Sequence, residues 1–228
     1  MTNPLDNWLG DLIQKKQSAR VDVLDVGCGS GTYLTAQATH FNAENITWTG
    51  IDPCPPADND IKRIRYLKAK AEDLGIPNES IDYLICTYSL HFFDDLDQAI
   101  NEFWRVLKKG GRIMIVNIDP ADMEKSWLYE YFPDSRVLDL KRFPSLKTVV
   151  ELLESVGLQV SFDYQRRRFF MPAQNVIAEV LKKKASQLQM ISEQGYNDGF
   201  HRLSLEALDP EKVILEEVAS FAVRAIKI

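Results

Sequence analysis

The sequence predicts a doubly wound α/β fold: a mostly parallel, seven-stranded sheet with an antiparallel edge strand and a helical cover. Three observations predict it. Short apolar runs alternate with helical or loop segments up to about residue 118, the pattern of parallel crossovers. The first of those runs ends in a cluster of glycines. Two later strand-like runs are separated by a long helical stretch, as in an antiparallel edge pair carrying an insertion.

The elements follow in order. Asn3 can cap a first helix and Pro4 suits its first turn, with Leu5, Trp8, Leu9, Leu12 and Ile13 on one face. After KKQSAR, the valine-rich run 21–26 (VDVLDV) is a buried strand feeding a tight turn. Residues 31–41 read as helix and 46–52 (ITWTGID) as the second strand. The link 53–60 (PCPPADND) is short and proline-rich, so its crossover helix is expected to be truncated. Strands follow near 64–69 and at 81–88. Residues 95–108 form a helix with Leu96, Ile100, Phe103 and Leu107 on one face; Lys108 and Lys109 complement its C-terminus, and Gly110 and Gly111 stop it. A fifth strand spans 111–118. Residues 120–143 read as an irregular cover with a short helix. Pro144 and Ser145 open a helix that packs through Leu146, Val149, Val150 and Leu153 and closes at Gly157. A long strand covers 158–171, a helical region interrupted near Gly195 and Gly199 covers 174–208, and a terminal strand covers 216–228. The whole chain, 1–228, is expected to be one domain, with its core at about 20–118 and its cover at about 120–143 and 174–208.

Composition narrows the function. Of 228 residues, 27 are basic and 33 acidic, a net charge of −6, and neither half is a basic arm. This argues against a nucleic-acid binder that works by neutralising phosphates. Hydrophobic residues at 45% and charged residues at 26% are globular values. Cys28, Cys54 and Cys86 form no CxxC, and His40, His91 and His201 lie far apart, so neither a disulfide framework nor a metal site is expected. The opening segment has no basic stretch followed by an apolar run, and no stretch is apolar enough to span a bilayer; the expected setting is cytoplasmic, without membrane partners. The oligomeric state is left open.

The chemistry concentrates in Asp25-Val-Gly-Cys-Gly-Ser-Gly31. Glycines at 27, 29 and 31 let the backbone turn sharply and approach a ligand beside a helix N-terminus. A dinucleotide site asks for GxGxxG, but Thr32 stands where its third glycine belongs. Asp25 adds a negative charge that suits a cationic ligand better than a diphosphate.

This stretch resembles the first motif of the class I S-adenosylmethionine-dependent methyltransferases, an acidic residue followed by GxGxG. Its D-x-G-C-G-x-G form is similar to that of their small-molecule, type 11-like branch. Four further features match in order: Asp52 ending the second strand, KAKAEDLGIPNESIDYLI, TYSLHFF and FWRVLKKGGRIMI. The likeness is close over about 20–118 and holds in outline beyond. It implies a Rossmann-like fold, S-adenosylmethionine as cofactor and S-adenosylhomocysteine as product. It also implies that Gly27 and Gly29, with Cys28 and Gly31 in the same loop, meet the methionine end, Asp25 favouring its ammonium. Asp52, beside Pro53, would hold both ribose hydroxyls. Ala71, Glu72 and Asp73 would flank the adenine, and the backbone at Thr87 and Tyr88 would approach the methionine portion. Lys70 departs from the pattern: many relatives carry there an acid that accepts from the adenine amino group, so either Glu72 or Asp73 takes that role or the contact is missing.

Several residues admit plainer readings. Cys28 is a small apolar filler rather than a nucleophile. Pro53-Cys54 follows the wrong strand for a cytosine-5 methyltransferase, and the loop after the fourth strand lacks the [DNS]PP[YFW] tetrapeptide of amino-methylating DNA enzymes. Arg166, Arg167 and Arg168 read as a solvated edge strand, with Arg167 facing opposite to its neighbours. Trp127, Tyr129, Tyr131 and Phe132 either line a substrate pocket or pack the cover, and Lys182, Lys183 and Lys184 are a solvated helix face. His91 either faces the acceptor as a base or positioning group, or caps the helix start at Asp94–Asp97. The expected function is methyl transfer to an O, N or C nucleophile of a small-molecule acceptor, without a metal. The alternatives are a methyltransferase acting on RNA or protein, and a non-catalytic S-adenosylmethionine-binding interaction protein.

Overall fold

The valine-rich run VDVLDV, four apolar residues and two aspartates that are buried except for a half-buried Asp22, lies in the middle of the sheet as Val21–Val26 (β1). The computed structural model describes residues 4–56, 63–182 and 185–228, and side chains from residue 7 onward. The expected cap Asn3, the Leu5 side chain, residues 57–60 of the proline-rich link, and Lys183 and Lys184 lie outside the described residues. Strands Ile46–Asp52 (β2), Ile64–Lys68 (β3), Ile81–Thr87 (β4), Leu107–Ile118 (β5), Leu158–Pro172 (β6) and Val213–Lys227 (β7) complete a sheet of order β3-β2-β1-β4-β5-β7-β6. Pairing is parallel from β3 through β5, and the sheet ends in antiparallel edge strands. The chain leaves β1 towards β2 and β3 on one side, then returns to place β4 on the other. That reversal parts the connections beyond the C-terminal ends of β1 and β4 and leaves a crevice there.

Contacts divide the chain into two compact units. The first holds residues 1–117, 146–163 and 222–228. Its helices are Pro4–Lys16 (α1), Thr32–His40 (α2), Leu96–Val106 (α3) and, later in the chain, Leu146–Ser155. Leu9 and Leu12 of α1 join Val21, Val23, Leu34, Trp48, Tyr83 and Ile85 in one buried cluster, so the spacing read from the sequence faces a real core. Asp95 caps α3 by accepting from Gln98 N at 3.0 Å.

The end of α3 differs from expectation. The helix stops at Val106, and Lys108 and Lys109 belong to β5 rather than to a helix terminus. Lys108 bonds Asp82 at 2.6 Å and Asp22 at 3.1 Å, and Lys16 bonds Asp82 at 2.9 Å. Two buried or half-buried carboxylates on β1 and β4 attract Lys108 more strongly than exposed helix carbonyls can. Burial pushes the Asp82 carboxyl up, but the Lys108 and Lys16 ammoniums bring it below its usual range.

The second unit holds residues 118–145 and 164–221. It is more helical than its sequence suggested, with Trp127–Tyr131 (α4), Pro133–Arg142 (α5), Ala173–Leu181 (α7), Gln187–Met190 (α8) and Glu193–Glu206 (α9), Leu146–Ser155 being α6. Tyr129, Tyr131 and Phe132 are buried in its core with Val176, Val180, Leu188 and Leu203, so these aromatics pack the cover. Arg166 and Arg168 are on one face, as alternation requires, but neither is merely solvated: both bond the fully buried Glu217, at 3.0 and 2.6 Å. Lys182 pairs with Glu179 at 2.8 Å on an exposed helix face.

Gly195 and Gly199 do not interrupt the helix; both lie inside α9. A Cβ on Gly199 would run into the Tyr131 carbonyl oxygen and come within 2.5 Å of Phe132 Cδ1. The ring of Phe132 stacks on Tyr196 at 5.9 Å, and Tyr196 on Phe200 at 6.1 Å. Gly199 therefore serves close packing, not a turn. Gly199→Ala is expected to lower stability by about 1–3 kcal/mol through overpacking. Gly195→Ala meets the exposed Asp134 carboxylate at 3.1 Å and the Ser192 hydroxyl at 3.2 Å, both ends of side chains that can shift, and gains helix propensity, so it should stay within about 1 kcal/mol of wild type. Urea unfolding of both variants checks the contrast.

Candidate functional site

The site is built where β1 runs out of strand. Gly27 N and Cys28 N both donate to Ile51 O, at 2.8 and 3.0 Å, which folds the turn back onto β2. Gly27 has φ +74°, and a Cβ there would strike Ser89 Cβ; this glycine is needed for the bend and for the approach of the loop after β4. Gly29, at φ +52°, has nothing within 4 Å of where its Cβ would be. The space beside Gly29 belongs to a cavity of about 460 Å³, a size suited to a small molecule. Gly31 is the N-cap of α2.

Asp52 closes the turn from the β2 side. Its Oδ2 accepts from Gly29 N at 2.9 Å and its Oδ1 from Cys54 N at 2.8 Å. The carboxylate thus fastens the glycine loop and the start of the following link while still lining the cavity with unused lone pairs. Asp25 is the opposite case. It is 1% exposed, and neither carboxylate oxygen has a hydrogen-bond partner among the described residues. Burial, with the nearby charge of Asp52, pushes its pKa up to about 7. A buried carboxyl without donors is costly to ionise, and a cation placed beside it would relieve that cost.

The far wall comes from the turn after β3 and the loop after β4. Ala71 and Glu72 line the cavity, whereas Asp73 does not; it bridges back to Lys70. Glu72 Oε1 accepts from Asp94 N at 2.7 Å and Asp95 N at 3.1 Å, so it anchors the start of α3 as well. Lys70 and Asp94 both line the cavity and are joined by a 2.7 Å ion pair.

Tyr88 leaves β4 at φ +53°, a strained conformation for a non-glycine residue, and stands 54% exposed on the cavity wall. Ser89 Oγ donates to Val26 O at 3.1 Å, tying this loop to β1.

Of the residues singled out from sequence, the structure gathers Gly27, Gly29, Asp52, Pro53, Ala71, Glu72 and Tyr88 around one cavity. Asp25, Cys28, Gly31, Asp73, Thr87 and His91 are not on its lining. Cys28 is buried, its thiol pushed up to about 12 by desolvation and by Asp25 and Asp52, which makes it inert. His91 sits in a 3₁₀ turn, Leu90–Phe92, with its ring 4.0 Å from that of Phe92, and the N-cap of α3 is Asp95. Phe92, Phe93, Ser89, Lys70 and Asp94 are lining residues that the sequence reading did not assign. The paired phenylalanines in TYSLHFF were a visible signal; the reach of Asp94 across to Lys70 was not. Among the described residues no group of side chains has metal-ligand geometry, and no helix is long and apolar enough to cross a membrane.

Comparison with known proteins agrees with this geometry. Residues 24–115 match the protein family described as a methyltransferase domain. The chain is 28% identical over 151 residues to 2-methyl-6-phytyl-1,4-hydroquinone methyltransferase of Spinacia oleracea, covering 64% of this chain and 41% of that protein. It is 28% identical over 141 residues to the ubiquinone/menaquinone biosynthesis C-methyltransferase of Vibrio parahaemolyticus, covering 58% of this chain and 51% of that one. The chain therefore spans about half, or less, of the length of these relatives. In structure it resembles a protein described as a methyltransferase from an antibiotic biosynthesis pathway of Anabaena variabilis, with TM-score 0.72, 18% identity, and 96% and 95% of the two chains covered. It also resembles a Haemonchus contortus phosphoethanolamine N-methyltransferase in complex with S-adenosyl-L-methionine, with TM-score 0.55, 17% identity, and 96% and 52% covered. The fold is the Rossmann-like fold of methyltransferases.

The buried Asp25 carries a pH signature. Its folded-state pKa is raised, so as pH climbs from about 4 the unfolded chain loses this proton while the folded chain keeps it, until about pH 7. Stability should fall across that window, by up to about 4 kcal/mol at 1.36 kcal/mol per unit. Asp25→Asn should remove this fall, so that its stability gains on wild type steadily between pH 4 and 7. Parallel stability–pH curves for the two proteins would contradict the assignment.

Proposed function

We propose that this chain binds S-adenosylmethionine in the cavity beside β1 and transfers its methyl group to an O, N or C nucleophile of a small-molecule acceptor. The observation that carries the reading is an open glycine backbone at Gly29 and a carboxylate with unused lone pairs at Asp52 on one cavity, with a buried, partnerless carboxyl at Asp25 off the lining, on the strand that feeds the glycine turn. These three fit, respectively, a ligand that must approach the main chain, one that offers hydroxyl donors, and one that bears a cation. When bound, the cofactor supplies a methyl group on a sulfonium, already an excellent leaving group, so the protein's share is alignment and exclusion of water.

In this reading Gly27 and Gly29 offer backbone groups to the methionine end, with Asp25 favouring its ammonium. Asp52 holds the ribose hydroxyls, and Ala71 and Glu72 stand on the adenine side. Lys70 and Asp94, through their ion pair, fix the rim there. Tyr88, Phe92 and Phe93 supply an apolar wall that keeps water from the reacting atoms. His91, next to Phe92, is placed on the acceptor side as a base for an acceptor that must lose a proton, or as an orienting group for one that need not. That relatives are named for methylating hydroquinones and for C-methylation in quinone biosynthesis supports a small acceptor of that kind.

Calorimetry tests the cofactor part. Wild type should bind S-adenosylmethionine; Asp52→Ala should bind about 10–100-fold more weakly, having lost charge-assisted hydrogen bonds worth about 1.5–3 kcal/mol. Gly29→Val should not bind, because a branched side chain fills the open space. Unchanged affinity in folded variants would remove both residues from the site. S-adenosylhomocysteine formation against a panel of small hydroxylated, amino and hydroquinone acceptors tests the chemistry, and cofactor binding with no product from any acceptor would favour a binding protein. His91→Gln should keep cofactor affinity and lower turnover; equal turnover and pH profile would reject its role.

A further inference from the structure

We propose that β6 is a self-association edge, through which two copies of this chain pair antiparallel with Gln165 of one opposite Gln165 of the other. β6 is the last strand in the sheet order and is 15 residues long. Residues 161–170 are all exposed, on both faces of the strand, among them Phe162 at 53%, Phe169 at 46% and Phe170 at 68%. A free edge of this length presents unpaired backbone groups, and monomeric proteins blunt such edges with proline, β-bulges or charged side chains, lysine above all. The run from Ser161 to Met171 contains no proline, glycine or lysine, and its charged residues are Asp163, Arg166, Arg167 and Arg168. Its charges are also largely matched within the chain: Arg166 and Arg168 bond Glu217, and Asp163 bonds Arg224. Little repulsion therefore keeps a second copy away.

The occupant and the register follow from charge complementarity. When two copies extend one sheet about a two-fold axis normal to it, opposed side chains share a face, so each permitted register sets one residue opposite its own copy. Centred on Gln165, Asp163 faces Arg167 twice, Tyr164 faces Arg166, and Phe162 faces Arg168, giving two ion pairs and four aromatic–guanidinium contacts. Centring on Arg166 or Arg167 sets that arginine against itself, and centring on Tyr164 places Asp163 opposite Gln165 and pairs no opposite charges. Arg167, which donates to Gln165 of its own strand, is the cation left for such a partner. The strand complements itself in one register.

Sedimentation equilibrium of the purified full chain should show a dimer. Arg167→Asp and Asp163→Arg should each weaken it by about tenfold or more, because both pairs become like-charged. An equimolar mixture of the two variants should dimerise again, since every Asp163–Arg167 pair then regains opposite signs. A monomer at all concentrations, or a dimer indifferent to both reversals, would overturn the proposal. Gln165→Cys gives a test independent of charge. Opposed residues lie within disulfide reach, so in a Cys54→Ser background, which removes the exposed native thiol, mild oxidation should yield a linked dimer absent from the background chain and from its Arg167→Cys form. A folded Gln165→Cys that forms no such dimer would also overturn it.

Discussion

The reversal of strand order beside β1 is the constraint from which the rest of the site follows. Because β2 and β4 flank β1 in parallel, β1 is paired on both sides over Val23–Asp25, and the chain turns out of the sheet directly after Val26. The bonds from Gly27 N and Cys28 N to Ile51 O make that turn. Asp52 then ties its outer limb at Gly29. A pocket at this place is a consequence of topology; what it holds is set by side chains at the strand ends.

Those side chains differ sharply in how their charges are satisfied. Asp22 and Asp82, at the opposite end of the sheet, are satisfied by Lys108, Lys16, Arg20 and Thr47. Asp25, on the same strand as Asp22, is more deeply buried and has no such donors. Two carboxylates on one strand thus differ in kind: Asp22 is matched by donors, and Asp25 is buried without them. That asymmetry is what motivates the ligand-binding role proposed for Asp25.

The first half of the chain was legible because its local signals agree with its tertiary role. VDVLDV is valine-rich and buried, the glycines sit where positive φ is required, and Asp95 caps α3 from its own sequence position. Where the reading failed, a distant partner had overridden a local preference. Lys108 follows a helix but answers to Asp82 and Asp22, 26 and 86 residues away in sequence. Gly199 looks like a helix breaker but makes room for Tyr131 and Phe132. At the cavity, the glycines are legible from their own chemistry and Asp52 and Glu72 through the family resemblance, while Asp94 stands on the wall where Glu72 and Lys70 hold its loop. Asp73, next to a lining residue in sequence, is itself off the lining, its backbone paired with that of Lys70 in an isolated bridge.

The pairing proposed between Asp25 and a cationic cofactor leaves a signature in the protons that binding releases. Binding of S-adenosylmethionine should be measured calorimetrically somewhat below pH 7, where the free Asp25 carboxyl still holds its proton, in buffers of differing ionisation enthalpy. The account predicts that binding releases a proton from wild type and none from Asp25→Asn, with weaker affinity in the variant. Binding whose heat is independent of buffer in both proteins, at equal affinity, would contradict it.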